Sequence, residues 1–225
     1  MQAHILAHFI QDDHDRKAPV FPFLNLTVSG GHTLLVLVRS AYEMELIGTT
    51  VDDAAGEAFD KGAKILGLPY PGGPLIDKYA RGGDPKKFKL PIPQIAGSNM
   101  SFSGVKTAFR ELVQRGMQAD PQFIEQELPN LCASLQQNII DILLRKIHKA
   151  ARAYAIKHIA ISGGVSANSG LRSQVQQLGD REGWEVFVPP LAYCTDNGAM
   201  IAMAGHFLYQ AGMFAPLHIV PEPRG

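Results

Sequence analysis

Residues 21–40 read FPFLNLTVSGGHTLLVLVRS. Two apolar runs rich in β-branched and aromatic residues flank SGGH, a tight Gly-Gly connection, so the stretch predicts a β-hairpin. MELIGTT (44–50) reads as a third strand. The pattern then changes period. In VDDAAGEAFDKGAKILGL (51–68), Ala54, Ala58, Lys61 and Ile65 fall on a helical repeat that Gly67 stops. PYPGGPLID (69–77) is a turn opening a short helix, and KKFKLPIP (86–93) is predicted as a short edge strand because of its prolines. SGVKTAFRELVQRG (103–116) and the region from Pro121 to about Ala155 are helical, with a break expected near Pro129. KHIAISGGVSAN (157–168) is a strand, a glycine turn and a helix start; SGLRSQVQQL supplies the helix and WEVFVPP (184–190) another strand. CTDNGAMIAMAGHFLYQAG (194–212) is a loop running into a small-residue helix that ends at Gly212, before an irregular tail. Upstream, MQAHILAHFI (1–10) opens as a helix and QDDHDRKAP (11–19) is a charged loop. Strands followed by helices, with an antiparallel hairpin first, make this an α/β protein.

Composition narrows the function classes. A formal net charge of zero gives no global pull toward nucleic acid, so RNA contact would need a local patch. Lys86, Lys87 and Lys89 cluster, and Arg145, Lys146, Lys149 and Arg152 line a helix; each group reads as a solvated face or as a set of phosphate contacts. Two cysteines, Cys132 and Cys194, are too few for a disulfide framework and suit a reducing cytosol. No apolar run approaches the roughly 18 residues of a membrane span, and no signal peptide is visible. A cytoplasmic location is expected.

Three Gly-rich turns follow strands: TVSGGHT, ISGGVSAN and, more loosely, PGGP. Glycine lets the backbone come close to a ligand and turn its N–H groups toward an anion. Any one of these is equally a tight turn, and Asn168 or Ser166 equally a helix cap. Three turns with acidic companions point to a nucleotide cleft. The companions are Asp52, Asp53, Glu57, Asp60, Asp77 and Asp196. Several share a helix side and also read as a solvated face; Asp196 stands before an apolar helix as an N-cap or a cation ligand. His4 and His8 lie one helical turn apart, and alone they read as ordinary packed histidines. No G-x-S-x-G, P-loop lysine or paired cysteine base is present, so no residue is assigned as a covalent nucleophile.

Together TVSGGHTLL, DDAAGEAFDKGAKILGLPYPGGP, MSFSGVKTAF, ISGGVSANSGLR and CTDNGAMIA resemble the TsaD family of tRNA threonylcarbamoyladenosine transferases, in order and spacing through nearly the whole chain. The resemblance implies an actin-like ATPase fold (ASKHA, RNase H-like) with two lobes around a nucleotide cleft. Residues 1–195 would be mainly the second lobe. Residues 196–225 would hold a metal-ligand loop, a helix returning toward the first lobe, and the tail. The substrate positions it implies are Thr27, Val28, Ser29, Gly30 and Gly31 on the hairpin turn, Asp60, Gly73, Asp77 and Asn168. Asp60 and Asp77 would take sugar hydroxyls, Asn168 the nucleotide, and the amides of Ser29 to Gly31 a phosphate or carboxylate.

The family's metal site, a helical H-x-E-x-H pair with an aspartate, implies His4 and Asp196 as ligands; the first histidine would fall one residue before Met1. The implied cofactor is a divalent ion, Fe2+ or alternatively Zn2+. The implied substrates and partners are threonylcarbamoyl-AMP, tRNA, and TsaB-like and TsaE-like proteins, with no membrane. The implied reaction is metal-assisted transfer of threonylcarbamoyl to N6 of the adenosine beside the anticodon. The expectation is that the chain lacks the first lobe and the TsaB contact it carries, so that it binds metal weakly, has little activity alone, and exposes Met200, Met203, Ala204 and Phe207. Another enzyme of the actin-like superfold (a small-molecule kinase or an O-carbamoyltransferase) and a non-catalytic scaffold are the rival readings.

Overall fold

In the computed structural model, residues 21–40 contain the expected hairpin: β1 (Phe23–Val28) and β2 (Thr33–Val38) pair antiparallel, from Phe23 opposite Val38 to Val28 opposite Thr33. The structure describes residues 1–11, 16–216 and 218–220; residues 12–15 of the predicted charged loop and part of the predicted tail lie outside these. β3 (Met44–Thr49) pairs antiparallel with β2. On the other side of β1 lie β4 (His158–Ser162), parallel to it, and then β5 (Glu185–Phe187), parallel to β4. The sheet order is β3-β2-β1-β4-β5. β1 is therefore where the antiparallel hairpin meets the parallel strands, and its carboxyl end lies beside that of β4.

Both faces of the sheet are covered, which is why its central strands are apolar nearly throughout rather than alternating. Leu24, Leu26 and Val28 face the larger core, with α2 (Ala55–Ile65), α3 (Gly72–Ala80), α4 (Ser103–Ala119), α5 (Phe123–Tyr154) and α6 (Ser169–Glu182). Phe23, Val36 and Val38 face a smaller cluster with Ile5 of α1 (Gln2–Leu6) and Phe9 of the 3-10 turn Ala7–Phe9. α7 (Gly198–Gln210) lies against this side, with Phe207 edge-on to Phe9 at 5.4 Å.

α2 is helical as expected, and its buried residues are Ala55, Gly56, Ala58, Phe59, Gly62 and Ala63, with Lys61 half-buried beside them. Several local expectations are corrected. Residues 86–93 form no strand. Phe88, Leu90 and Ile92 do turn inward, but the Asn138 amide, rather than a partner strand, takes the Leu90 and Pro91 carbonyls. α5 runs through Pro129 unbroken. The row predicted to be exposed on α7 faces inward: Met200 is buried and Met203, Ala204 and Phe207 are half-buried beneath the N-terminal segment and Tyr42. The exposed apolar side chains of this helix are Ile201, Leu208 and Tyr209.

The start of α4 shows how a distant carboxylate builds an element. Asp52 accepts from Ser101 Oγ (2.5 Å), Phe102 N (2.8 Å), Ser103 N (3.3 Å) and Ser103 Oγ (2.7 Å). Burial opposes its charge, but these four hydrogen bonds outweigh it and hold the carboxyl below its ordinary range.

Candidate functional site

The loops leaving β1 and β4 converge on one cavity of about 480 Å³, within the usual size of small-molecule sites. It sits outside the carboxyl ends of parallel strands, where open α/β sheets bind ligands. After β1 the chain turns at Ser29–His32: Ser29 N donates to His32 O (2.8 Å) and His32 N to Ser29 Oγ (3.1 Å). The start of α2 braces this turn, since Gly56 N donates to Ser29 O and a Cβ on Gly56 would lie 2.4 Å from that oxygen. After β4, Gly163 adopts φ +86° with Val28 O where a Cβ would be, a conformation and approach that only glycine meets without strain.

Of the substrate positions expected from the sequence, Gly30, Asp60, Gly73, Asp77 and Asn168 line the cavity together. Thr27 and Val28 are fully buried; Thr27 Oγ1 accepts from Asn25 Nδ2 (2.8 Å) and Ser162 Oγ (3.1 Å), so it supports the turn from below. Ser29 and Gly31 belong to the turn without lining the cavity.

Asp60 Oδ1 accepts the first two amides of α3, Gly72 N (2.8 Å) and Gly73 N (3.1 Å). Its second oxygen has no protein donor among the described residues. Asp77 is taken up more completely. Its oxygens accept Ser169 N (3.2 Å to each) and Ser169 Oγ (2.7 Å), while Arg81 stands 3.4 Å away. A carboxylate offers about four acceptor positions, so Asp60 is the better placed of the two to take a hydroxyl from a ligand. Asn168 caps α6, accepting Leu171 N at Oδ1 (2.9 Å), and donates from Nδ2 to Gln136 Oε1 (2.7 Å).

His4 Nε2 lies 3.0 Å from Asp196 Oδ1, on the residue after Thr195, which lines the cavity. The resemblance thus led to two side chains that do meet. Burial is the largest influence on His4 and its pKa is lowered; Asp196 pulls the other way, while the N-terminal amine and His32 in the glycine turn add repulsion. His4 Nδ1 is buried with no partner among the described residues. Catalytic ions of this kind usually have three protein ligands. No third His, Cys, Asp or Glu completes such a group among the described residues, so the pair alone does not make a metal centre. The N-cap reading of Asp196 is corrected: Asn197 caps α7 through Met200 N, and Asp196 is free to face His4.

Other candidates resolve into structure. Lys61 pairs with Asp53 and Glu57, Lys87 with Glu127, and Lys146 donates to Ile95 O and Gly97 O. Cys132 is buried in α5, and burial pushes its thiol up to about 12, leaving it protonated and unreactive. A second hollow of about 520 Å³ between α5 and α6 has no glycine turn, and its His148 and Glu182 face each other at 3.3 Å. Sequence reasoning passed over Tyr70, Arg81 and Thr195, which line the main cavity, and Ser169 and Gln136 behind it. Arg81 was within reach of a local argument, as it lies one helical turn after Asp77.

A family model described as TsaD: tRNA N6-adenosine threonylcarbamoyltransferase matches residues 1–203. A relative of the same description from Christiangramia forsetii is 55% identical over 224 residues, covering 100% of this chain and 66% of its own length. Another, from Cytophaga hutchinsonii, is 54% identical, with 100% and 64% covered. The chain thus spans just under two thirds of the length of these relatives. Among solved structures, full-length HypF in its phosphate- and nucleotide-bound form aligns with a TM-score of 0.65 at 11% identity, over 95% of this chain and 36% of that one. HypF from T. kodakarensis aligns at 0.62 and 15%, over 94% and 36%. These two likenesses show the fold alone, a mixed sheet with helices of the actin-like ATPase kind.

Proposed function

The chain belongs to the tRNA N6-adenosine threonylcarbamoyltransferase family, and from that membership we propose that its cavity holds the nucleotide end of threonylcarbamoyl-AMP. The protein transfers the threonylcarbamoyl group to N6 of the adenosine beside the tRNA anticodon. One observation carries this reading: both glycine turns, Asp60 and Asn168 meet at a single cavity of about 480 Å³.

The chemistry follows from what those groups offer. Adenine N6 is a weak nucleophile because its lone pair is delocalised, so the acyl carbon must be made electrophilic and AMP kept a good leaving group. N6 attacks the carbamoyl carbon, the bond from that carbon to the phosphate oxygen breaks, and N6 gives up a proton. Gly30 and Gly164 of the two turns line the cavity, and in this reading their backbone N–H groups take the charge that collects on the departing phosphate. The open oxygen of Asp60 accepts a ribose hydroxyl, and Asn168 contributes an N–H. Iron or zinc at His4 and Asp196 would need a third protein donor that the described residues do not supply. tRNA is the acceptor in this reading, and TsaB-like and TsaE-like proteins are its partners.

Mass spectrometry of tRNA nucleosides from a strain depleted of the protein tests the reading. Loss of N6-threonylcarbamoyladenosine supports it, and an unchanged level overturns it in favour of another group transfer on the same fold. For the partners, co-purification is the corresponding check.

A further inference from the structure

We propose that Gln136 on α5, outside the cavity lining, is a positioning residue that fixes the Asn168 side chain so that it meets the nucleotide through an N–H. This rests on the nucleotide reading of the cavity and adds to it the direction of one contact.

The orientations follow from a backbone group that cannot be reversed. Leu171 N–H only donates, so the Asn168 atom 2.9 Å from it is the carbonyl oxygen. The Asn168 NH2 then points the other way, to the Gln136 atom at 2.7 Å, which must be an acceptor and is the carbonyl oxygen Oε1. Flipping either amide alone sets two donors against each other or uncaps α6. One N–H of Asn168 is held by Gln136, and the second remains for whatever fills the cavity. Its counterpart on the ligand is an acceptor, a ribose oxygen or an unprotonated ring nitrogen.

Gln136 is itself held by packing. A Cβ on Gly170 would lie 2.7 Å from Gln136 Nε2 and 3.1 Å from Ile140 Cδ1, so the bare glycine leaves the room that the Gln136 side chain occupies between α5 and α6. The next residue, Gln137, exchanges paired amide bonds with Gln174 (2.9 and 2.8 Å), which sets the register of α5 against α6. Leu135, Ile139 and Ile140 root this part of α5 in the core.

The test is calorimetric titration of AMP into the chain and into Gln136→Met, Gln136→Glu and Gln136→Lys, each with a thermal midpoint. Methionine fills similar space with no acceptor and frees the Asn168 amide, so AMP binds about tenfold more weakly, the size of one lost hydrogen bond. Glutamate restores an acceptor, and its charge is favourable beside the N-terminus of α6, so affinity returns to near that of the parent. Lysine presents only donors and lowers affinity at least as far as methionine. Recovery in Gln136→Glu but not Gln136→Lys separates orientation from packing, and it does so even if Gln136→Met is too unstable to measure. Unchanged AMP affinity in Gln136→Met and Gln136→Lys overturns the inference, as does a loss in Gln136→Glu as large as in Gln136→Lys. A parent chain that does not bind AMP overturns the nucleotide reading and this inference with it, a result visible before any variant is made.

Discussion

His4 and His8 stand one turn apart, and what each ring nitrogen meets separates them. His8 Nε2 lies 2.9 Å from Ile161 O, so that nitrogen carries the proton. Burial is the main cause that pushes the His8 pKa down to about 4. The folded value lies below the unfolded value of about 6.5, so the neutral ring's contribution is complete above pH 6.5. It is lost as pH falls from there through about 4, by about 3 kcal/mol in all. Denaturant unfolding across this range should show that loss in the parent and a flatter profile in His8→Leu; parallel profiles would contradict it. Glycines offer a sharper contrast. A methyl on Gly30 meets nothing within 4 Å but enters the cavity, so Gly30→Ala should keep its thermal midpoint and lose AMP affinity. Gly56→Ala should be destabilised by about 1–3 kcal/mol, because its methyl strikes Ser29 O. At this scale residue types were legible and their bonding was not. Asp60 and Asp77 look alike as sequence, yet Asp77 is taken up by Ser169, 92 positions away, and no local spacing reveals that.

Helices and strands depend on the same distant partners. Asp52 caps α4 from 50 residues upstream, and Asp52→Ala should lower stability by about 1–2 kcal/mol in urea unfolding. An unchanged midpoint would mean that the four bonds carry no net stability. Because the folded pKa is depressed, this contribution is present above the unfolded value and is lost as pH falls through the folded one. The two misread elements have physical reasons. Phe88, Leu90 and Ile92 alternate in sequence and turn inward, but they pack against the core without a ladder, since Asn138 satisfies the Leu90 and Pro91 carbonyls. Pro129 is the seventh residue of α5, past its first turn, so it does forfeit one bond of the ladder, and tertiary contacts outweigh that loss. Neighbouring contacts also hold that turn: Asn130 accepts Asp84 N at 2.8 Å and donates to Glu127, which pairs with Lys87. The hairpin, by contrast, was readable from 20 residues, because its turn and its pattern are both local.

Over the whole molecule, the α/β class follows from the period changes along the chain, and the place of the cavity from the rule that parallel strands bind ligands at their carboxyl ends. The strand order does not, since it rests on pairings between distant segments. Nor does what covers what. The inward row of α7 was expected to be bare, and the bare residues are on the other side, where Ile201 is 60% and Tyr209 71% exposed. An uncovered face of this kind favours association. Sedimentation of the chain should show concentration-dependent self-association that Ile201→Glu with Tyr209→Glu abolishes; a parent that stays monomeric at high concentration would refute it. The same helix has a mechanical consequence. Asn197 fastens its first turn beside the cavity lip, and Tyr42 Oη, at the far tip of the β2–β3 hairpin, donates to Phe207 O at 2.8 Å near its other end. Thirteen residues make a rod of about 20 Å, pinned at both ends and open along one side. A load applied to that open side reaches the lip of the cavity and the end of the hairpin together, so α7 acts as a strut that ties the two into one stiff part.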